Sequence, residues 1–135
     1  MERTRNPTMA ERYVLDSDFL IEHLRGIIAA RTFFDQLKGE LFVSAVTVTE
    51  LYSGIRHERH LQATERLLRS IGIAPIDQHI AKRAGLLRSQ YRQSHGLGTP
   101  DALIAATVES LQATLVSFNQ RHFPMIDKLL VPYKR

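Results

Sequence analysis

Three acidic residues, Asp16, Glu50 and Asp101, stand where a folded chain can bring carboxylates together. Asp16 ends an apolar run typical of a strand, while Glu50 and Asp101 lie in the first turns of predicted helices. Asn119 lies two residues beyond another apolar run. Ligands of open parallel sheets bind beyond the carboxyl ends of the strands. These four residues therefore form the candidate site.

Converging carboxylates predict a bound cation. Two unit charges about 4 Å apart repel by roughly 4 kcal/mol at an effective dielectric constant near 20, so a cluster of acids requires a counterion. Oxygen ligands, in a chain that contains no cysteine, favour Mg²⁺ or Mn²⁺ over Zn²⁺. We therefore expect Asp16, Glu50 and Asp101 to hold a hard divalent cation.

Each acid also has a purely structural explanation. Thr47 and Glu50 have the spacing of a capping box, in which the glutamate bonds back to the first turn of a helix. Thr99, followed by a proline, predicts an N-cap that leaves Asp101 in a first turn favoured by the helix dipole. Asp16 is compatible with a helix start alone. The residues taken singly leave both explanations open.

The elements that would position these residues alternate between strands and helices. Short apolar runs predict strands at 13–16, 41–44, 73–76, 114–117 and 129–132. Apolar positions at helical spacing, such as Ile80, Ala84, Leu87 and Tyr91, predict helices between them. Continuous apolar runs suit strands that are covered on both faces. The pattern predicts an α/β fold with a central parallel sheet of four to five strands flanked by helices.

Composition limits the class of protein. The 135 residues suffice for one domain with a sizeable core, and a net charge of +4 favours a polyanionic partner. The lack of cysteine excludes disulfides and suits a reducing compartment, so we expect the cytoplasm. No apolar run approaches the roughly 18 residues of a membrane helix. Arg3 and Arg5 precede no apolar run, which argues against a signal peptide.

Four segments together resemble the PIN-domain family of nucleases. They are VLDSDFLI, VTELYSGI, TPDALIAATVES and TLVSFNQRHF, which extend with their intervening residues from about residue 12 to residue 123. Their order and spacing are more specific than any one of them. The wordings ELxxGI and PDALIAA resemble VapC toxins within that family.

The resemblance implies a three-layer PIN-like domain over 9–135, preceded by a flexible extension at 1–8. It implies an endoribonuclease that needs Mg²⁺ or Mn²⁺, which can activate water and neutralise phosphate charge. It also implies a homodimer and a small cognate antitoxin protein, for which the apolar helices near 46–71 would form a groove.

The resemblance further implies roles for individual residues. Asp16, Glu50 and Asp101 would hold the metal, and Asn119 occupies a fourth position at which the family commonly has Asp. This departure puts a second metal in doubt. Ser117 and Asp18 are auxiliary candidates, Asp18 either pointing into the site or facing solvent. Basic residues on the helices would guide RNA or be only solvated: Arg56, Arg59, Arg66, Arg69, Lys82, Arg83, Arg88 and Arg92.

Three alternative functions stay open. The DSD sequence at 16–18 resembles the nucleophile motif of haloacid-dehalogenase phosphatases, although the chain is short for that fold. A housekeeping RNA-processing nuclease would use the same site without an antitoxin. A catalytically inactive binding module is favoured by Asn119 and disfavoured by the three acids. The RNA target is not encoded by any pattern in the sequence.

Overall fold

The computed structural model describes residues 11–135, in which strands and helices alternate as predicted. The strands are β1 (Arg12–Leu15), β2 (Glu40–Ser44), β3 (Gly72–Ala74), β4 (Thr114–Val116) and β5 (Leu129–Leu130). The helices are α1 (Ser17–Leu24), α2 (Ile28–Gln36), α3 (Ala45–Ser53), α4 (Glu58–Ser70), α5 (Gln78–His95) and α6 (Thr99–Leu111). The expected extension at 1–8 lies outside the described residues.

All five strands pair in parallel, in the order β3-β2-β1-β4-β5. The first strand is therefore central, with Val14 opposite Phe42 of β2 and Leu15 opposite Val116 of β4. Because the strands are parallel, their carboxyl ends lie at one edge of the sheet. This order confirms the predicted α/β fold with five strands.

Helices cover both faces of the sheet, and the strand residues alternate between two cores. Val14 and Leu115 pack on one face, which α5 and α6 cover with side chains such as Leu87. Leu15 and Val116 pack on the other face. The cover there comes from α1, α3 and α4, through Phe19, Leu51, Leu67 and Leu68. Two buried faces explain why the strands read as continuous apolar runs.

The capping box expected at Thr47 and Glu50 is wrong. Helix α3 begins directly after β2, and Ser44 is its N-cap, with a side chain that accepts a hydrogen bond from the backbone two residues on at 3.2 Å. Thr47 is fully buried inside the helix and cannot cap it. Glu50 therefore lies in the second turn of α3, where its side chain does not cap the helix.

The N-cap expected at Thr99 is also misplaced, by one residue. The first backbone hydrogen bond of α6 runs from the N–H of Ala102 to the carbonyl of Gly98 at 3.0 Å, so Gly98 is the cap and Thr99 is already helical. Gly98 provides no side-chain hydrogen bond to the cap. Asp101 remains in the first turn, as predicted. No helix within residues 11–135 has both the length and the apolar character needed to cross a membrane.

Two glycines provide opposite tests of the fold. Gly39, just before β2, has φ of +154°, and a Cβ there would lie 2.3 Å from the carbonyl oxygen of Glu11. That oxygen accepts the N–H of Glu40 at 2.8 Å, so Gly39→Ala should lower the free energy of unfolding by about 2 kcal/mol.

Gly85 in α5 has no atom within 4 Å of its Cβ position, so Gly85→Ala should raise the free energy of unfolding by about 0.5–1 kcal/mol. Denaturant unfolding of both variants measures these changes, and equal effects would contradict the described backbone.

Candidate active site

Asp16 is the most buried acid at the carboxyl edge of the sheet, with 4% of its surface exposed. It ends β1 and is the N-cap of α1, where its Oδ1 accepts the backbone N–H of Ser17 at 2.8 Å. Its Oδ2 accepts the hydroxyl of Ser117 at 2.7 Å. Ser117 directly follows β4, the neighbour of β1, so strand pairing brings the two residues together. Both carboxylate oxygens are thereby fixed.

The side chain of Asp18 points toward the turn after β4, as that of Asp16 does. From the sequence, Asp18 was expected either to point into the site or to face solvent. Its Oδ2 accepts the backbone N–H of Phe118 at 3.0 Å and lies 3.4 Å from the Ser117 hydroxyl. Its Oδ1 accepts the N–H of Phe19 at 2.6 Å. Because the hydroxyl of Ser117 has one proton, which the nearer Asp16 accepts, Asp18 is held mainly by backbone donors.

Glu50 and Asp101 reach the site from the two helices that follow β2 and precede β4. The Oε1 of Glu50 is shielded from solvent and has no hydrogen-bond partner among residues 11–135. A shielded carboxylate oxygen of this kind is costly unless it gains a donor or a cation. Asp101 has 28% of its side chain exposed, and its Oδ2 lies 3.1 Å from the Nδ1 of His122.

The ionisation of these acids is coupled. Burial, followed by the charge of Asp18 and finally that of Asp101, raises the pKa of Asp16 to about 7, although its bonds to Ser117 and Ser17 oppose the rise. Burial also raises the pKa of Glu50, against the nearby Ser17 side chain, and the charges of Asp101 and Asp18 add to the rise. Burial raises the pKa of Asp18 as well, against the backbone bonds described above. Asp16, Asp18 and Glu50 thus share an electrostatic environment that disfavours their charged forms.

The donor set suits a hard divalent cation, although it is not a preformed cage. Among residues 11–135, no three acidic or histidine side chains stand close enough to hold an ion as they are. Mg²⁺ usually binds through one or two carboxylates and keeps several waters, so it does not need such a cage. The shielded Oε1 of Glu50 and the unfavourable charging of Asp16 are both relieved by a cation. The residues present therefore fit the metal.

The side chain of Asn119 makes fewer contacts with the site than the side chains of the acids do. Asn119 is exposed, and its backbone N–H donates to the hydroxyl of Ser117 at 3.0 Å. Within the described residues, no hydrogen bond connects its side-chain amide to Asp16 or Asp101. The structure thus brings Asp16, Asp18, Glu50, Asp101 and Ser117 to one edge and leaves the Asn119 amide at the rim.

Two neighbours of the site have no distinctive signal in the sequence. His122 contacts Asp101 from the 3₁₀ turn after β4, and nothing distinguishes it from the other histidines of the chain. The C-terminal segment is the second neighbour. The Tyr133 hydroxyl and the Arg135 guanidinium both donate to Glu22 of α1, the latter at 2.8 Å.

The same segment also packs beside Asp18. The guanidinium carbon of Arg135 lies 4.1 Å from the ring centre of Phe118, whose ring also meets the edge of Tyr133. Phe118 is the residue whose N–H binds Asp18. We call residues 133–135 with these contacts the C-terminal latch. Its only sequence signal is a Tyr and an Arg after the last strand, which is too common a pattern to predict a contact.

Comparison with known proteins extends over most of the chain. Residues 13–129 match the PIN domain. The chain is 40% identical over 123 residues to Ribonuclease VapC10 of Mycobacterium tuberculosis, covering 89% of this chain and 92% of the relative. It is 36% identical over 124 residues to Ribonuclease VapC19 of the same organism, covering 89% and 98%. A chain in a toxin-antitoxin complex from Klebsiella pneumoniae superposes with a TM-score of 0.78 and 28% identity, covering 91% of this chain and 99% of that chain.

The raised pKa of Asp16 predicts that the metal-free protein loses stability as pH rises. In the folded state Asp16 holds a proton up to about pH 7, whereas the ordinary pKa of an aspartate, which applies to the unfolded chain, is 3.8. The folded state therefore binds more protons between these values, and stability falls across that window by up to about 4 kcal/mol. Asp16→Asn should flatten this dependence in excess chelator, as measured by urea unfolding from pH 4.5 to 8. The control Asp35→Asn, on exposed α2, should keep the wild-type slope; a wild type that gains stability with pH in this range would contradict the assignment.

Proposed function

The chain belongs to the PIN-domain family, and we propose that it is a metal-dependent endoribonuclease that acts as the toxin of a toxin–antitoxin pair. The observation that carries this proposal is the group of desolvated, mutually coupled carboxylates at the carboxyl edge of the sheet, in a chain 40% identical to a ribonuclease. Membership of the PIN-domain family excludes the haloacid-dehalogenase phosphatase that the DSD sequence suggested. Retention of the three acids supports an enzyme over an inactive module.

The proposed cofactor is Mg²⁺ or Mn²⁺, bound by Asp16, Glu50 and Asp101 directly or through water. Such an ion supplies a nucleophile from water at neutral pH and neutralises charge on the scissile phosphate. The hard oxygen donors support these metals over Zn²⁺. The chain itself provides no cysteine that could serve as a nucleophile or thiolate ligand.

The protein residues contribute orientation and electrostatics. Asp16 is fixed by the Ser17 N–H and the Ser117 hydroxyl, so its direction is set before substrate arrives. Glu50, with a shielded and unpartnered oxygen, has a free acceptor for an ion or a water molecule. Asp101 is more exposed and contacts His122, which makes it the acid best placed to meet incoming RNA. Hydrolysis at phosphorus would leave a 5′-phosphate and a 3′-hydroxyl.

The proposed protein partner is a small antitoxin, and the proposed assembly is a homodimer in the cytoplasm, where its RNA substrate is found. The structural neighbour from Klebsiella pneumoniae is a toxin–antitoxin complex. The sequence placed a groove for the antitoxin near 46–71, but of the large exposed apolar side chains only Tyr52, at 40%, lies there, whereas Ile21 at 37% and Ile28 at 80% place exposed apolar surface on α1 and α2. Exposed apolar groups on neighbouring helices suit an amphipathic segment of another protein.

Replacing Asp101 tests the nuclease directly. We expect Asp101→Asn to lower the rate of RNA cleavage by more than about 100-fold, since even outer partners of metal ligands change activity by 10–100-fold. Excess chelator should abolish wild-type cleavage, and added Mg²⁺ or Mn²⁺ should restore it. The matched control is Asp35→Asn, which makes the same chemical change on exposed α2. Gel analysis of total RNA, with mapping of the cut sites, measures the rate and identifies the target. Undiminished cleavage by folded Asp101→Asn protein, or by wild type in chelator, would refute the proposal.

The neutral residue at position 119 predicts one tightly bound metal in the absence of RNA. Asn119→Asp should tighten Mn²⁺ binding by about tenfold or more, since a unit charge about 4 Å from a divalent ion contributes on the order of 2 kcal/mol even at the dielectric constant of water. Asp18→Asn should not change the number of sites, because both oxygens of Asp18 are bound by backbone N–H groups, and should weaken the affinity less than Asn119→Asp strengthens it. Calorimetric titration gives the number of sites and the affinities. Two equally tight sites in wild type that fall to one in Asp18→Asn would show that Asp18 completes the metal site.

A further inference from the structure

A cleft between α5 and α6 lies outside the acidic site. Its volume is about 390 Å³, within the range of pockets that bind small ligands. The floor consists of small residues, and basic and hydroxyl side chains stand around it. Its lining includes Ala84, Gly85, Arg88, Arg92, Thr99 and Ala102. We call this the α5–α6 cleft.

The cleft carries positive charge that its own walls do not neutralise. The Nε of Arg88 is shielded from solvent and has no hydrogen-bond partner among residues 11–135. Arg92 lies one turn further along the same side of α5, and none of the described lining residues is acidic. By contrast, Arg83 on the same helix donates to Glu109 of α6 at 2.7 and 3.2 Å. Arg83 is thus used to hold the helices together, whereas Arg88 is left with an unused donor.

The cleft begins within one helical turn of the acidic site. Thr99 and Ala102 line the cleft, and Asp101 lies between them in the first turn of α6. At 3.6 residues per turn, Asp101 points to the opposite side of α6 from Thr99, so a strand that is bound both at the acidic site and in the cleft passes over the N-terminal end of α6. The positive end of the α6 dipole faces the same region.

The small floor makes the cleft accessible to a polymer backbone. Gly85 presents no side chain, and a Cβ built there meets no atom within 4 Å. Ala84 is buried, so the floor has little side-chain bulk. The arginine guanidinium, with its planar fork of donors, matches the oxygens of a phosphate diester. The shape and the charge of the cleft therefore both favour the phosphate diester backbone of a polynucleotide.

We propose that the α5–α6 cleft is a phosphate subsite of the substrate, in which Arg88 and Arg92 bind a backbone phosphate of single-stranded RNA that passes over the N-terminal end of α6 from the acidic site. The inference rests on the proposed nuclease function and deepens it by assigning a path for the strand. Arg88 and Arg92 are positioning residues that bind the substrate away from the scissile bond.

Charge removal in the cleft gives the first test. The probe is a fluorescein-labelled single-stranded RNA of random sequence, titrated with protein in Mg²⁺ and followed by fluorescence anisotropy. All proteins carry Asp101→Asn so that the probe stays intact. We expect the pair Arg88→Gln and Arg92→Gln to raise the Kd by at least about tenfold and to reduce the salt slope by roughly 0.7 for each phosphate that is no longer neutralised. The control pair Arg25→Gln and Arg31→Gln, at exposed positions beside α1 and in α2, removes the same charge and should change the Kd less than about threefold.

Filling the cleft without changing charge gives the second test. Gly85→Leu places an aliphatic side chain in the cleft, and because a Cβ at this exposed position meets no atom within 4 Å, the fold should be retained in thermal unfolding. We expect its RNA Kd to rise by about tenfold or more, with the Arg88 and Arg92 charges intact. Weaker binding in both cleft proteins, beside a near-normal control pair, supports the subsite. Normal binding by Gly85→Leu would overturn it, because the arginines would then act only as diffuse charge.

Two further measurements separate this inference from other outcomes. If the protein without these substitutions, including Asp101→Asn, neither cleaves nor binds RNA, the proposed function itself fails. If it does both and the cleft proteins match the control pair, only the subsite is overturned. If light scattering shows that the cleft substitutions dissociate an oligomer while RNA binding is unchanged, the cleft is occupied by a second copy of the chain, and the subsite is again overturned.

Discussion

The site depends on keeping one carboxylate, that of Asp16, almost entirely out of water. Its two oxygens are bound by donors from α1 and from the turn after β4, so the pairing of β1 with β4 and the start of α1 are fixed at the same point. The cost is visible in the raised pKa of Asp16, which burial and the neighbouring Asp18 produce together. A site built in this way sacrifices some stability of the empty fold for affinity toward a cation.

The architecture followed from the sequence because both faces of the sheet are covered. Strands buried on two sides must be apolar throughout, which is why the runs around Val14, Val43 and Leu115 could be recognised without any alternation. The edge that carries the acids followed in turn, since parallel strands all end on one side. Local capping was less predictable: Ser44 and Gly98, not Thr47 and Thr99, are the caps, because a helix can start as soon as the strand ends.

The details of the site came from contacts between distant parts of the chain, which residue types alone do not encode. Asp18 is held by the backbone of Phe118, and a backbone donor leaves no mark in the sequence. The contact of His122 with Asp101 and the C-terminal latch on Glu22 depend on how the last segment returns over α1 and α6. For Asn119, the sequence predicted the position after β4 but not the orientation of the side chain. The amide is exposed at the rim of the site because of the turn that follows β4.

The central place of β1 has a consequence for synthesis on the ribosome. Asp16 emerges early, but the hydroxyl that fixes it belongs to Ser117, 101 residues later, and β4 must pair with β1 before the two meet. A chain that has been made only as far as α6 contains Asp101 but still lacks the hydroxyl of Ser117 that orients the buried carboxylate. The proposed nuclease site is therefore incomplete until nearly the whole chain has been made, because its most buried acid depends on a residue 101 positions later.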